Sequence, residues 1–243
     1  MSTSLLFHAA AITDLGRVRR QNEDRFLCVP DKSLFGVADG VGGLPAGARA
    51  AQAAVETVAR EFASANIKAA DDWRPIVQAA NDAVVAKGEA FGGRLGIAST
   101  LTVGTVVQHQ LFIAHIGDSR CLLLRDGLAR CLTTDHSAEN EAKLDPSKPA
   151  PPEKWRLALA RCLGQPDALN PDFLTEPLHS GDRVVFATDG ITRVISESEL
   201  CDTLTCDTPL AERLAGLIDL AYDRGAPDNA TAVVIEFLPP SHD

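Results

Sequence analysis

Acid-plus-small pairs recur in this chain where apolar runs end: Glu23-Asp24, Asp39-Gly40, Asp118-Ser119, Asp189-Gly190, and Asp228-Asn229 just before the last apolar run. A strand delivers its end residue rigidly, and a neighbouring glycine lets backbone carbonyls approach a ligand closely. Carboxylates gathered in this way are donors for hard divalent ions such as Mg²⁺ and Mn²⁺. A single Asp-Gly is an ordinary turn dipeptide; five acidic sites, each closing or opening an apolar run, ask for a chemical reason. Zinc suits the pattern less well, because the six histidines show no paired spacing and no cysteine cluster accompanies them. Arg19 stands five residues before Asp24 in VRRQNED, near enough for both to share one strand end and its loop. A guanidinium beside carboxylate-held cations is what a phosphate dianion needs, with bidentate hydrogen bonds on one side and positive charge on the other.

Two rival chemistries fit poorly. FGVADGVGG (35–43) has the strand, glycine turn and helix order of a dinucleotide site, but Pro45 takes the third glycine position and Asp39 would face the pyrophosphate. No G-x-x-x-x-G-K-[ST] loop occurs, and none of the six cysteines is followed six positions later by arginine, as a cysteine-based phosphatase needs.

The elements that must position these acids are read from apolar patterning. The chain has 243 residues, 45% hydrophobic and 23% charged, enough for one sizeable core. Its formal charge of −10 argues against a nucleic-acid partner. No apolar run is long enough to span a membrane, and residues 1–10 lack a basic stretch followed by a long apolar one, so the expectation is a cytoplasmic monomer without a membrane partner. The cysteines form no C-x-x-C pair and read as reduced, mostly buried thiols. Strands are expected at 5–12, 26–29 and 34–38. Ala51, Val55, Val58 and Phe62 mark one face of a first helix. A second helix is expected from Asp72 as its N-cap to about Glu89. LTVGTVV, LFIAHIG and CLLL read as further strands within 99–133, with Asp126-Gly127 a hairpin turn. Residues 138–155, with four prolines, read as an excursion from the core, mobile or partly helical. Strands follow at 173–178 and 183–188, a capping box at Ser196 and Glu199, a helix from Thr208-Pro209 to Gly225, and a closing strand at 230–238. Strands in consecutive groups with helices between them favour an α+β layered fold with largely antiparallel sheets.

Together, TDLGRVRRQNED (13–24), VADGVGG (37–43), AST (98–100), IGDSR (116–120), LTTDHS (132–137), ALARCLG (158–164), FATDG (186–190) and PDNATAVVI (227–235) resemble, in order and spacing, the metal-dependent protein phosphatase family (PPM, the type-2C serine/threonine phosphatases) in its compact bacterial form. The resemblance covers nearly the whole chain. It implies a four-layer αββα sandwich in a single domain, 1–243, with a flap at about 138–157 beside the active site. It implies two Mn²⁺ or Mg²⁺ ions, with Asp39 bridging them and the Gly40 carbonyl beside it, and Asp189 and Asp228 as further ligands of the first. Glu23 resembles the acid on the second ion's side and Asp24 its water-holding neighbour. Asp118 matches an acid that helps hold a third, weaker ion, and Arg19 the phosphate-binding arginine. The implied activity is hydrolysis of phosphoserine and phosphothreonine in phosphoproteins, opposing a cognate bacterial Ser/Thr kinase. The alternative is a catalytically weak relative that binds phosphoproteins as a scaffold. Two departures stand out: Leu44 replaces the usual histidine, and Arg193 replaces a carboxylate that can touch the third ion. A cation at 193 is expected to pair with Asp118 and leave the third site empty or weak.

Overall fold

The structure, a computed structural model, describes residues 5–41, 46–90, 97–145, 147, 149–165 and 169–238. The expectation at Leu44 lies outside the described residues. Among the described residues, ten strands form two antiparallel five-stranded sheets. The first takes β1 (Phe7–Asp14), β10 (Ala230–Phe237), β9 (Arg183–Ala187), β6 (Arg120–Arg125) and β7 (Leu128–Cys131) in that order. The second takes β2 (Asp24–Val29), β3 (Leu34–Asp39), β4 (Leu101–Val107), β5 (Gln110–Ile116) and β8 (Asp172–Pro177).

Three apolar layers hold these sheets between helices. On β10, Val233, Ile235 and Phe237 face the second sheet, while Ala232 and Val234 face helices α4 (Asp189–Thr192), α5 (Glu197–Thr205) and α6 (Leu210–Asp223). On β3, Phe35 and Val37 point into the same inter-sheet layer, and Leu34 and Ala38 pack under α1 (Gly47–Phe62) and α2 (Arg74–Glu89). Alternate residues thus enter different cores, as the period-2 geometry of a strand requires. Because both faces are buried, the strands read in sequence as continuous apolar runs. The expected αββα sandwich is the observed architecture.

Several boundaries differ from expectation. β1 begins two residues later and runs on to Asp14, because Phe7 to Asp14 pair residue by residue with β10 down to Ala230. β2 and β3 extend to Asp24 and Asp39, which pair directly with each other. Asp72 does not cap α2. It lies in a 3₁₀ turn, Ala70–Trp73, that runs straight into the helix, and its carboxylate accepts the backbone N–H groups of Lys68 and Ala69. Of the cysteines only Cys121 and Cys201 are buried, and Cys206 is exposed. The Asp126-Gly127 turn joins β6 to β7 with both residues at positive φ, 53° and 75°, which suits the twist of a two-residue hairpin. The Ser196–Glu199 capping box opens α5. Residues 138–155 hold a short helix, α3 (Ala138–Leu144), capped by Ser137, and a 3₁₀ turn at Glu153–Trp155.

Candidate active site

The acids meet at one end of the sandwich because neighbouring strands of both sheets stop there. Asp24 and Asp39 are register partners at the ends of β2 and β3. Asp118 lies in the turn between β5 and β6, Asp189 directly follows Thr188 at the end of β9, and Asp228 precedes β10. Asp39, Asp118, Asp189 and Asp228 line one cleft of about 160 Å³ together with Arg19, Arg193, Val41, Thr100, Leu157 and Leu159.

Two close backbone approaches make this convergence possible. A Cβ on Gly190 would sit 1.8 Å from the Asn229 carbonyl oxygen, so only glycine lets the Asp189 turn lie against the Asp228 turn. A Cβ on Gly40 would sit 2.3 Å from the backbone of Gly47, the first residue of α1, so the Asp39 turn also packs directly on that helix. Gly47 in turn backs onto the Glu23 carboxylate, where a Cβ would come within 2.8 Å of Oε1. Glu23 and Gly40 therefore adjoin the site without lining the cleft itself.

Uncharged side chains do the positioning, a role that their spacing in the sequence does not mark. Thr100 Oγ1 accepts the Asp39 backbone N–H at 2.9 Å and shares a hydrogen bond with Ser119 Oγ at 2.7 Å. Thr188 Oγ1 donates to Asp24 Oδ2 at 2.8 Å. Asn229 Oδ1 accepts the Glu23 N–H at 2.9 Å, while its Nδ2 donates to the carbonyls of Leu15 and Gln21, tying the loop that carries Arg19 to the start of β10. The available signal was polarity inside apolar surroundings: Ser99, Thr100, Thr188, Asn229 and Thr231 are all fully or almost fully buried.

Crowding of like charges governs the electrostatics. Burial, then repulsion from Asp24, Asp189, Asp118 and Asp228, holds the Asp39 carboxyl well above the usual range. Burial first, then Asp189 and Asp228, raises Asp24 to about 6 against the hydrogen bonds it accepts from Thr231 and Thr188. Burial and Asp189 raise Asp118 to about 6, with Arg193 pulling the other way. Asp189 is raised by burial too, partly offset by Arg193.

Two guanidiniums answer this charge. Arg19 Nη2 lies 2.6 Å from Asp228 Oδ2, and not on Asp24, its neighbour in sequence. Arg193 spans two acids, with Nη2 2.7 Å from Asp118 Oδ2 and Nη1 2.9 Å from Asp189 Oδ2. The expected Arg193–Asp118 pair is therefore present, and Asp189 is an additional partner. Among the described residues, no three acidic, histidine or cysteine side chains stand in ligating arrangement around one point, and Asp118, Asp189 and Asp228 each pair with one of these arginines. The donor chemistry nonetheless fits a hard cation. Asp24 Oδ1 and Asp189 Oδ1 are buried with no hydrogen-bond partner among the described residues. The Asp39 and Asp189 carboxylates also repel one another, a repulsion that a bound cation would relieve.

A cleft that gathers carboxylates and arginines at one end of a two-sheet sandwich has donors for hard cations and for a phosphate group. Residues 17–229 match the Protein phosphatase 2C family. The chain is 33% identical over 235 residues to protein phosphatase PhpP of Streptococcus pneumoniae, with 92% of this chain and 95% of PhpP covered. The crystal structure of the Mycobacterium tuberculosis serine/threonine phosphatase PstP/Ppp superposes with a TM-score of 0.84 at 30% identity, covering 97% of this chain and 100% of that one. The catalytic domain of PstP in complex with two manganese ions gives a TM-score of 0.83 at 30% identity over the same shares. The chain belongs to the protein phosphatase 2C family, a metal-dependent family, and is a phosphoprotein phosphatase. No helix among its described residues is long and apolar enough to cross a membrane.

Proposed function

We propose that this protein hydrolyses phosphoserine and phosphothreonine in phosphoproteins, opposing the Ser/Thr kinase that makes those esters, with two Mn²⁺ or Mg²⁺ ions at the acid cluster. The observation that carries this reading is the clustering of Asp24, Asp39, Asp118, Asp189 and Asp228 with two buried carboxylate oxygens left unpaired. Asp39, Asp189, Asp228, Glu23, Asp24 and the Gly40 carbonyl would hold the ions. When bound, the ions supply Lewis acidity that makes water a nucleophile at neutral pH.

The protein's own groups account for the rest. Arg19 projects into the cleft and grips the phosphoryl oxygens, exchanging Asp228 for substrate, and meets the charge that grows on those oxygens in the transition state. Thr100, Thr188 and Asn229 keep the carboxylate-bearing turns in place. Among the described residues no cysteine lines the cleft, so the reading needs no cysteine nucleophile. Residues 1–243 act as one catalytic domain, with 138–157 as its flap, a reading supported by the pairing of β1 with β10.

The test is release of phosphate from phosphoserine, phosphothreonine and phosphotyrosine peptides in Mn²⁺ and in chelator, for the wild type and Asp39→Asn. Metal-dependent hydrolysis of the first two, lost in the variant, is expected. Preference for phosphotyrosine, or turnover indifferent to chelator, would overturn the proposal.

A further inference from the structure

A second depression of about 370 Å³ lies beside the catalytic cleft, lined by the six residues 153–158. Leu157 lines both, so its side chain is a wall the two share. Trp155 is 56% exposed and Leu157 51%. Large apolar side chains on a slack loop would mean little, but this backbone is clamped. The Ala138 N–H donates to the Ala158 carbonyl at 2.9 Å, the Glu139 N–H to the Arg156 carbonyl at 3.0 Å, and the Ala160 N–H to the His136 carbonyl at 2.8 Å. Ser137 and Leu159 form an antiparallel bridge within the same ribbon. Holding a tryptophan and a leucine in water on a pinned ribbon has an energetic cost that a partner surface would relieve.

The charges around the patch balance locally. Arg156 lies 3.5 Å from Glu139 and 3.4 Å from Glu153, and the Lys154 ammonium sits 5.4 Å from the Trp155 ring centroid. Glu139 also takes the Lys143 ammonium at 3.3 Å, so each charge beside the patch has an opposite partner or a ring face, and the exposed apolar side chains are what remains to select a partner. Any phosphoprotein segment that places its phosphoryl group in the catalytic cleft must cross that cleft's rim, and on this side the rim is Leu157. Leu157 borders the cleft and Trp155 stands two residues further along the ribbon, so at about 3.3 Å per residue an extended substrate brings the second or third residue from the phosphorylated one toward Trp155.

We propose that Trp155 and Leu157 form a substrate-recognition platform that selects phosphosites carrying an aliphatic or aromatic side chain two or three residues from the phosphorylated one. This rests on the phosphatase reading above and narrows its substrate class. Tryptophan is well suited to the role, since it supplies a large rigid contact area and recurs as the anchor of protein interfaces.

The experiment compares phosphothreonine peptides that differ only in having leucine, phenylalanine or aspartate at the second and third flanking positions, with p-nitrophenyl phosphate as the flank-free reference. For the wild type, kcat/KM is expected to favour leucine or phenylalanine over aspartate by about tenfold. In Trp155→Ala the ratio of peptide kcat/KM to that for p-nitrophenyl phosphate should fall by about the same factor, and Trp155→Phe should recover much of it. A binding measurement is independent of turnover. The protein has two tryptophans, and Trp73 is fully buried with its indole N–H on the Phe112 carbonyl, so an emission change on peptide binding reports Trp155. In Asp39→Asn, the leucine peptide should shift that emission to the blue and the aspartate peptide should not.

Equal kcat/KM for leucine and aspartate peptides, or equal emission shifts, would overturn the proposal. So would a blue shift that grows with protein concentration without peptide, which would give the surface to a second copy of the chain. If no phosphoester is hydrolysed at all, it is the phosphatase reading that fails, and the emission titration still decides whether the platform discriminates between the peptides.

Discussion

Arg193 spans Asp118 and Asp189, and replacing it tests whether its guanidinium acts as a fixed cation in this acid cluster. The carboxylates are almost buried, their side chains 7% and 10% exposed, whereas that of Arg193 is 46% exposed. Removing one partner of a fully buried pair costs about 3–5 kcal/mol. With nearly half of the guanidinium in water the Coulomb gain is screened, which reduces the expected loss in Arg193→Ala to about 1–2 kcal/mol. For a chain of this size that is about 3–6 °C in thermal midpoint, measured in chelator. Arg193→Asp should lose more in chelator, because a further carboxylate joins Asp118 and Asp189. In Mn²⁺ the order reverses in one respect: a cation site built from three carboxylates gains up to about 2.7 kcal/mol when Mn²⁺ stands about 100-fold above its Kd. The Mn²⁺-induced rise in midpoint should therefore be larger for Arg193→Asp than for the wild type, with calorimetry showing an additional weak binding phase. The reasoning is refuted if the two rises are equal, or if the wild type already binds an ion through Asp118.

Asp39→Asn, Asp189→Asn and Asp228→Asn should each lose at least about 100-fold in kcat at saturating Mn²⁺, since each removes a charged ligand; near-normal rates in two of the three would contradict the site. Arg19→Ala should act mainly on KM for phosphopeptides with a smaller fall in kcat, because the arginine grips phosphate in ground and transition states alike. An unchanged KM would make Arg19 a surface charge. In chelator, stability should fall as pH rises from about 4 to about 6, because Asp24 and Asp118 titrate at about 6 in the folded protein and at an ordinary 3.8 when unfolded. The folded chain then holds more protons than the unfolded one across that window, and each group loses on the order of 3 kcal/mol. Urea midpoints at pH 5 and pH 7.5 would measure this, and a midpoint no lower at pH 7.5 would count against the crowding of charge.

Local signals were enough for much of this protein. Strands buried on both faces announce themselves as apolar runs, and the Asp126-Gly127 hairpin and the Ser196–Glu199 box rest on contacts between residues at most a few positions apart. The acids at the strand ends were legible for the same reason, because a carboxylate closing an apolar run has few structural explanations. Local patterning failed where a side chain had two local partners available: Asp72 turned back to the N–H groups of Lys68 and Ala69 instead of capping α2. It failed for the length of β1 as well, since only the pairing with β10 carries that strand to Asp14.

The partners inside the site were decided by the tertiary structure alone. Arg19 lies close to Asp24 in sequence yet pairs with Asp228, 209 residues away, and Asp24 accepts a hydrogen bond from Thr188, 164 residues away. Thr100 and Asn229 are inconspicuous polar residues until packing places them against the Asp39 and Glu23 backbones. Residue types and short spacings encode which groups can carry charge and which segments form strands. Which charges face one another depends on the stacking of two sheets, where strands remote in sequence end side by side, and no periodicity of a few residues records that.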